Sequence, residues 1–262
     1  MDPRHPTRRD GYHAISLGFF LNEIFRRAEP QGRTIGQFLA DEIAKPHDVQ
    51  FMIGLREDAN IDEFAVLERA HRRLVINNIT EVPWRVAFDV AMHAGARRPQ
   101  LSVLALTNPK VGFPHFATRR SFLAPEIPSS NGAGTARGVA KLYSAAVSDD
   151  GDALFSADVR EALAAPSKRG AVPDSDLVLH VPSRYHLGFR KPHPTFVFGA
   201  TPGPGDGDGR AFGTTGIGGS MGFADPATGI GFGYVMNQLG VAMLDEPRNR
   251  RIRAALNRVL GV

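Results

Sequence analysis

The sequence predicts an α+β protein: a mainly helical lobe over residues 1–175, then antiparallel sheet strands with a terminal helix over 176–262, together forming one domain. Three observations predict it. Apolar residues recur at helical spacing through the first part of the chain. After Asp176 the pattern changes to short runs rich in β-branched and aromatic residues, separated by Gly, Pro and Asp. The tail RNRRIRAALNRVL then returns to a helical period, and this order of elements is that of an α+β fold. With 42% hydrophobic and 22% charged residues in 262, the chain has enough material for a proper core.

The first expected helix runs from Ala14 to Arg27. Its apolar residues Ile15, Leu17, Phe19, Phe20, Leu21, Ile24 and Phe25 are dense enough to predict burial in a helical core. A second helix starts at Thr34, where Thr-Ile-Gly-Gln has the form of a capping box, and stops before Pro46. Residues 61–74 read as a third, carried by Ile61, Phe64, Val66, Leu67 and Leu74. From about 93 to 132 the pattern decays into Gly, Pro and Arg around the island VLAL, which predicts a long surface excursion. Short helices resume at Thr135–Ala146 and Ser156–Ala164, each opened by a hydroxyl residue able to cap free amides, and Pro166 ends the second. The expected strands are DLVLHV, TFVFGA, RAFGTTGIGG and GIGFGYVMN. In the tail helix, Ile252, Leu256, Val259 and Leu260 form the face expected to dock on the sheet.

Charge and composition exclude several classes. The net charge of +4 comes from 31 basic residues scattered among 27 acidic ones, a solvated surface and not a nucleic-acid footprint. The absence of cysteine removes disulfides and cysteine-based nucleophile or zinc chemistry from these residues and fits a reducing compartment. No apolar run approaches the length of a membrane span, and MDPRHPTRRDGYH has charge without a following apolar segment, so a cytoplasmic protein is expected. No metal and no cofactor are expected: Asp206-x-Asp208 lacks the remaining ligands of a calcium loop, and His180, His186 and His193 have no local ligand spacing.

The chemistry concentrates in FGTTGIGGSMGFADP, residues 212–226. A dinucleotide fingerprint fails because the required third glycine falls on Met221, and a phosphate-binding loop fails for want of Gly-Lys-Ser/Thr. Gly218-Gly219-Ser220-Met221-Gly222 satisfies Gly-x-Ser-x-Gly, but no helix follows the serine; Ser220 is expected near the end of a strand leading into a hairpin. The remaining reading makes Thr214-Thr215-Gly216 an inner strand lining a cleft. Its glycine leaves room for a substrate, and the Ile217 N–H faces a developing oxyanion.

The run FGTTGIGGSMGFADPATGIGFGYVMN resembles the C-terminal signature of the serine β-lactamase and penicillin-binding-protein superfamily, in the branch with class C β-lactamases, carboxylesterases and acyltransferases. PTRRDGYHAISLGFFLNEIFRR, TIGQFLADEIAKPHDVQFMIGL and SSNGAGTARGVAKLY are similar to its earlier segments, in the same order. The resemblance implies the C-terminal portion of a β-lactamase/transpeptidase-like fold and an acyl-enzyme mechanism on small ester or amide substrates. Tyr12, in Tyr12-His13-Ala14, takes by resemblance the general acid/base role of a Tyr-x-Asn motif, with Ala14 in place of the asparagine. Thr214, Thr215 and Gly216 match the Lys/His-x-Gly substrate-binding strand, with Thr214 where the family has a cation, and Ile217 N–H is the implied oxyanion donor.

The family's nucleophile lies in Ser-x-x-Lys, and no serine from Ser16 to Ser220 is followed three positions later by lysine. Ser129-Ser130-Asn131 reads as a turn and cap. A serine hydrolase portion inactive by itself is therefore expected; the alternative is a non-catalytic binding protein that keeps the cleft. Sheet strands without their N-terminal neighbours also predict an uncovered edge and self-association.

Overall fold

The computed structural model describes residues 10–93, 100–108, 119–149, 153–167, 175–201, 208–242 and 244–262. Helix α1 (Ser16–Ala28) comes first, followed by α2 (Ile35–Phe38) and a π-helical extension, Leu39–Ala44. The capping box forms as expected: Thr34 Oγ1 accepts the Gln37 N–H and the Gln37 side chain accepts the Thr34 N–H. Glu126 ties the two helices together, accepting from Asn22 at 3.3 Å, Thr34 Oγ1 at 2.7 Å and the Gly36 N–H at 3.0 Å. The anticipated burial of α1 does not hold. Gly18 is its buried residue, and Leu17, Phe19, Phe20, Leu21 and Ile24 are exposed.

Strand β1 (Phe51–Met52) pairs antiparallel with β2 (Ala133–Gly134). The helix expected over 61–74 is instead a 3-10 turn, Ile61–Glu63, an extended stretch, and α3 (Arg72–Asn77). Its backbone has another use: the Glu68 N–H donates to Asn237 O and Glu68 O accepts from the Leu239 N–H, so this stretch pairs with the chain beyond the sheet. After a 3-10 turn at Ile79–Glu81 comes α4 (Trp84–His93). The expected surface excursion holds two more helices, α5 (Leu101–Thr107), which contains the VLAL island, and α6 (Arg120–Leu123). Helix α4 packs on α5. Ser129 and Asn131 serve as a turn and cap: Ser129 Oγ accepts from the Gly18 N–H, and the buried Asn131 bonds the 122–127 backbone.

Helices α7 (Ala136–Ala145) and α8 (Ala157–Ala164) lie where the sequence places them, with Thr135 capping α7 through the Gly138 N–H. The five-stranded antiparallel sheet has the order β3 (Tyr185–His186), β4 (Phe189–Arg190), β5 (Phe212–Thr215), β6 (Met221–Asp225), β7 (Ile230–Tyr234), and α9 (Pro247–Leu260) closes the described chain. DLVLHV is not a strand. The Asp176 carboxylate accepts from the Val178 and Leu179 N–H groups at 2.8 Å each and curls the segment into a turn, the usual way a short acidic side chain competes with ladder pairing. TFVFGA is not a strand either, since Phe196 bonds back to His193 in both directions. The hairpin lies between them in RYHLGFR, and Ser220 precedes strand β6 rather than ending a strand.

Two helices sandwich the sheet. Helix α7 lies across β6 and β7, where a Cβ on Gly231 would stand 2.1 Å from Ser144 N and one on Gly222 would stand 2.2 Å from the Tyr143 ring. On the other face Phe196, Phe198, Met221 and Phe223 pack with Phe232 and Leu256 of α9. The docking face of α9 differs from the expected one: Asn249, Arg253 and Leu256 turn inward, while Ile252 and Val259 are exposed. No described helix is long and apolar enough to cross a membrane.

Candidate active site

Strand β5 ends in the residues that the sequence singles out. Phe212 and Gly213 are buried, Thr214 is exposed and Thr215 is half-buried, in register with Ala224, Phe223, Gly222 and Met221 of β6. The chain then makes a tight turn: the Gly216 N–H donates to Ser220 O at 2.7 Å and the Gly219 N–H to Gly216 O at 3.2 Å. A Cβ at position 216 would lie 2.1 Å from Ser220 Oγ, and Gly218 takes φ +79°, so both positions favour glycine. Ile217 opens the 3-10 turn with its side chain exposed, the position at which a helical N–H has no partner inside its own turn.

The sequence analysis missed what holds this turn. Glu246, at the start of α9, accepts from the Arg248 and Asn249 N–H groups and pairs with the Arg248 side chain at 2.8 Å. Arg248 and the Gly240 N–H both donate to Gly218 O, at 3.1 and 2.7 Å, and the Asn249 side chain donates to Gly219 O at 2.8 Å. The helix terminus thus clamps the two carbonyls behind the exposed edge of the turn. Its sequence signal is Glu-Pro ahead of a helix, an acidic cap with proline at the first helical position.

Tyr12 packs against the 176–179 turn and strand β4. Its N–H donates to Asp176 at 3.0 Å, its ring packs with Ala105, Val178 and Leu179, and Arg190 Cζ stands 5.9 Å from the ring centroid. Arg190 is the register partner of Gly213, the residue before Thr214. Tyr12 therefore meets β4, one strand away from the Thr214–Gly216 wall. Burial raises its pKa above the ordinary phenol value; Arg190 opposes that rise and Asp176 adds to it. The three histidines have separate partners: His180 pairs with Asp89, His186 with Ala162 O and His193 with Thr195. Asp208 binds Ser167, and Asp206 lies outside the described residues.

Residues 2–257 match the Beta-lactamase family. The chain belongs to that family. This β-lactamase-family chain is 36% identical over 234 residues to the esterase/beta-lactamase LipL of Mycobacterium tuberculosis, covering 88% of its own length and 49% of the relative's. It superposes on a penicillin-binding protein homolog from Caulobacter crescentus with a TM-score of 0.71 and 32% identity, over 98% of this chain and 61% of that one. A family VIII carboxylesterase gives a TM-score of 0.72 at 27% identity, over 95% of this chain and 58% of that one. The β-lactamase/penicillin-binding-protein fold and membership of an esterase-related hydrolase family follow. The chain spans about half the length of the curated relative it matches.

Proposed function

We propose that these residues form two walls of a serine hydrolase site that acts on small esters or amides through an acyl-enzyme. Thr214, Thr215 and Gly216 lie along the substrate, the Ile217 N–H donates to the oxyanion, and Tyr12 carries the proton. The observation that supports this most is the β5 end itself: an exposed strand end and an opening amide, braced from behind by Arg248 and Asn249. A preorganised donor of this kind acts because it does not reorganise as charge develops. The esterase and β-lactamase relatives support the substrate class.

In this reading the attacking serine and its lysine are supplied by polypeptide other than these 262 residues, in which Ser-x-x-Lys does not occur. The chain alone is then expected to give no turnover of a p-nitrophenyl ester and no labelled serine with a fluorophosphonate; a labelled serine would overturn this part. Fused behind the Ser-x-x-Lys segment of a relative, the chain should gain esterase activity. Tyr12→Phe should then lower kcat by about 10²–10⁴, the range for loss of a general acid/base. A fusion whose kcat is indifferent to Tyr12→Phe would remove Tyr12 from the mechanism. The outer position of β7 and the exposed apolar helix faces further support self-association of the isolated chain.

A further inference from the structure

We infer that Arg190 is the charge partner of Tyr12, supplying from the neighbouring strand the positive charge that Thr214 does not provide. The use of that charge in acid/base chemistry rests on the function proposed above; the pairing rests on geometry alone.

Strand register places Arg190 opposite Gly213, so the Arg190 side chain leaves the sheet on the face of Gly213, while Thr214, the next residue of β5, points to the other face. Arg190 is 4% exposed. Its guanidinium lies between two phenol rings, 5.9 Å from the Tyr12 centroid and 4.9 Å from the Tyr185 centroid, and Nη1 donates to Ser183 Oγ at 2.8 Å. A cation held over a ring in this range is attracted to its face, and burial lowers the screening of its field.

The nearby carboxylate has other partners. Asp176 accepts from the Tyr12 N–H at 3.0 Å, the Tyr185 hydroxyl at 3.2 Å, and the Val178 and Leu179 N–H groups at 2.8 Å each. Its charge is spread over four donors on the chain around it. The groups bearing on Tyr12 are thus Arg190 from β4, Asp176 from the 176–180 turn and the neutral Tyr185 phenol from β3, while α5 contributes the apolar Ala105 and Leu106. Arg190 is the cation in that set. It favours the phenolate, and so opposes the rise in proton affinity that burial imposes.

A purely structural arginine would hold β3 and β4 to the 176–183 segment without altering how the phenol titrates. The two roles separate when 3-fluorotyrosine is placed at position 12 of the full chain and its ¹⁹F shift is followed with pH. Arg190→Gln should move the midpoint to higher pH, and Arg190→Lys, which keeps the charge, should return it toward the unsubstituted value. Equal midpoints in all three proteins would overturn the pairing. Should circular dichroism show that Arg190→Gln has lost the fold, the Arg190 side-chain ¹⁵N resonance of the unsubstituted protein decides the matter. It should shift with the Tyr12 midpoint and lose that step in Tyr12→Phe; a resonance with no such step rejects the pairing. A titration that follows Arg190 in a chain fused to a nucleophile segment yet devoid of turnover would uphold the pairing and reject the hydrolase reading.

Discussion

Lys191 and Arg253 are both almost fully buried, yet their hydrogen-bonding partners differ in charge. Arg253 pairs with Asp245 and donates to Val197 O, which balances its charge with a carboxylate. Lys191 Nζ donates to two neutral carbonyls, Ala164 O and Arg210 O, at 3.1 Å each. Those bonds satisfy its protons but do not cancel its charge, and burial pulls its pKa down to about 8. The sign of the linkage follows from this. Below pH 8 the ammonium is charged in both the folded and unfolded chains, and the folded state bears the desolvation penalty, which Asp208 and Asp225 offset in part. As pH rises from about 8 toward the ordinary lysine value the folded chain gives up its proton first, so the unfolded state binds more protons and stability rises with pH. Urea unfolding between pH 8 and 10 should show that rise, and Lys191→Met should flatten it. A stability that falls equally with pH in both proteins would count against the assignment.

At the scale of elements, the join that matters most for the candidate site is between the N-terminus of α9 and the Gly216–Ser220 turn. Asn249 is fully buried and its amide is bonded to Gly219 O at 2.8 Å. Removing it leaves a carbonyl without that donor, which costs about 1–3 kcal/mol when the group stays buried. Asn249→Ala is therefore expected to lower unfolding stability by about that amount. It should also speed amide exchange of residues 216–220 more than that of β6 and β7; uniform acceleration across the sheet would deny the turn its dependence on α9. Helix α7, the capping box and the two strands β5 and β7 were legible because each has a local signal, whereas the turn was read as a continuation of β5, its glycines closing the chain back onto Ser220 instead. The clamp and Arg190 were not legible, because they reach the site through strand register and helix docking, which join residues distant in sequence. DLVLHV shows the converse failure: its alternation is that of a strand, but four donors converge on the Asp176 carboxylate and the local turn wins.

For the whole molecule, the exposed apolar faces are the main departure from what the composition implies. Leu17, Phe20, Leu21 and Ile24 form one stripe on α1, and Trp84, Phe88 and Met92, spaced four apart, form another on α4. Phe20 is 68% exposed and Met92 63%. Density of this kind predicted burial, and these side chains stand exposed instead. Water-facing stripes on two helices favour association, since each contact removes apolar area from water at roughly 25 cal/mol per Å². Trp84 is the single tryptophan of the chain and is itself 58% exposed, so it reports on the α4 face directly. Its emission should shift to shorter wavelength as concentration rises, in step with an increase in sedimentation coefficient, and Phe88→Glu should suppress both changes. Phe20→Glu with Ile24→Lys should lower the sedimentation coefficient without altering Trp84 emission in the species that remains, if α1 forms a separate contact. A chain that sediments as a monomer at every concentration, with Trp84 emission fixed at long wavelength, would show that these stripes tolerate water and that the proposed self-association does not occur.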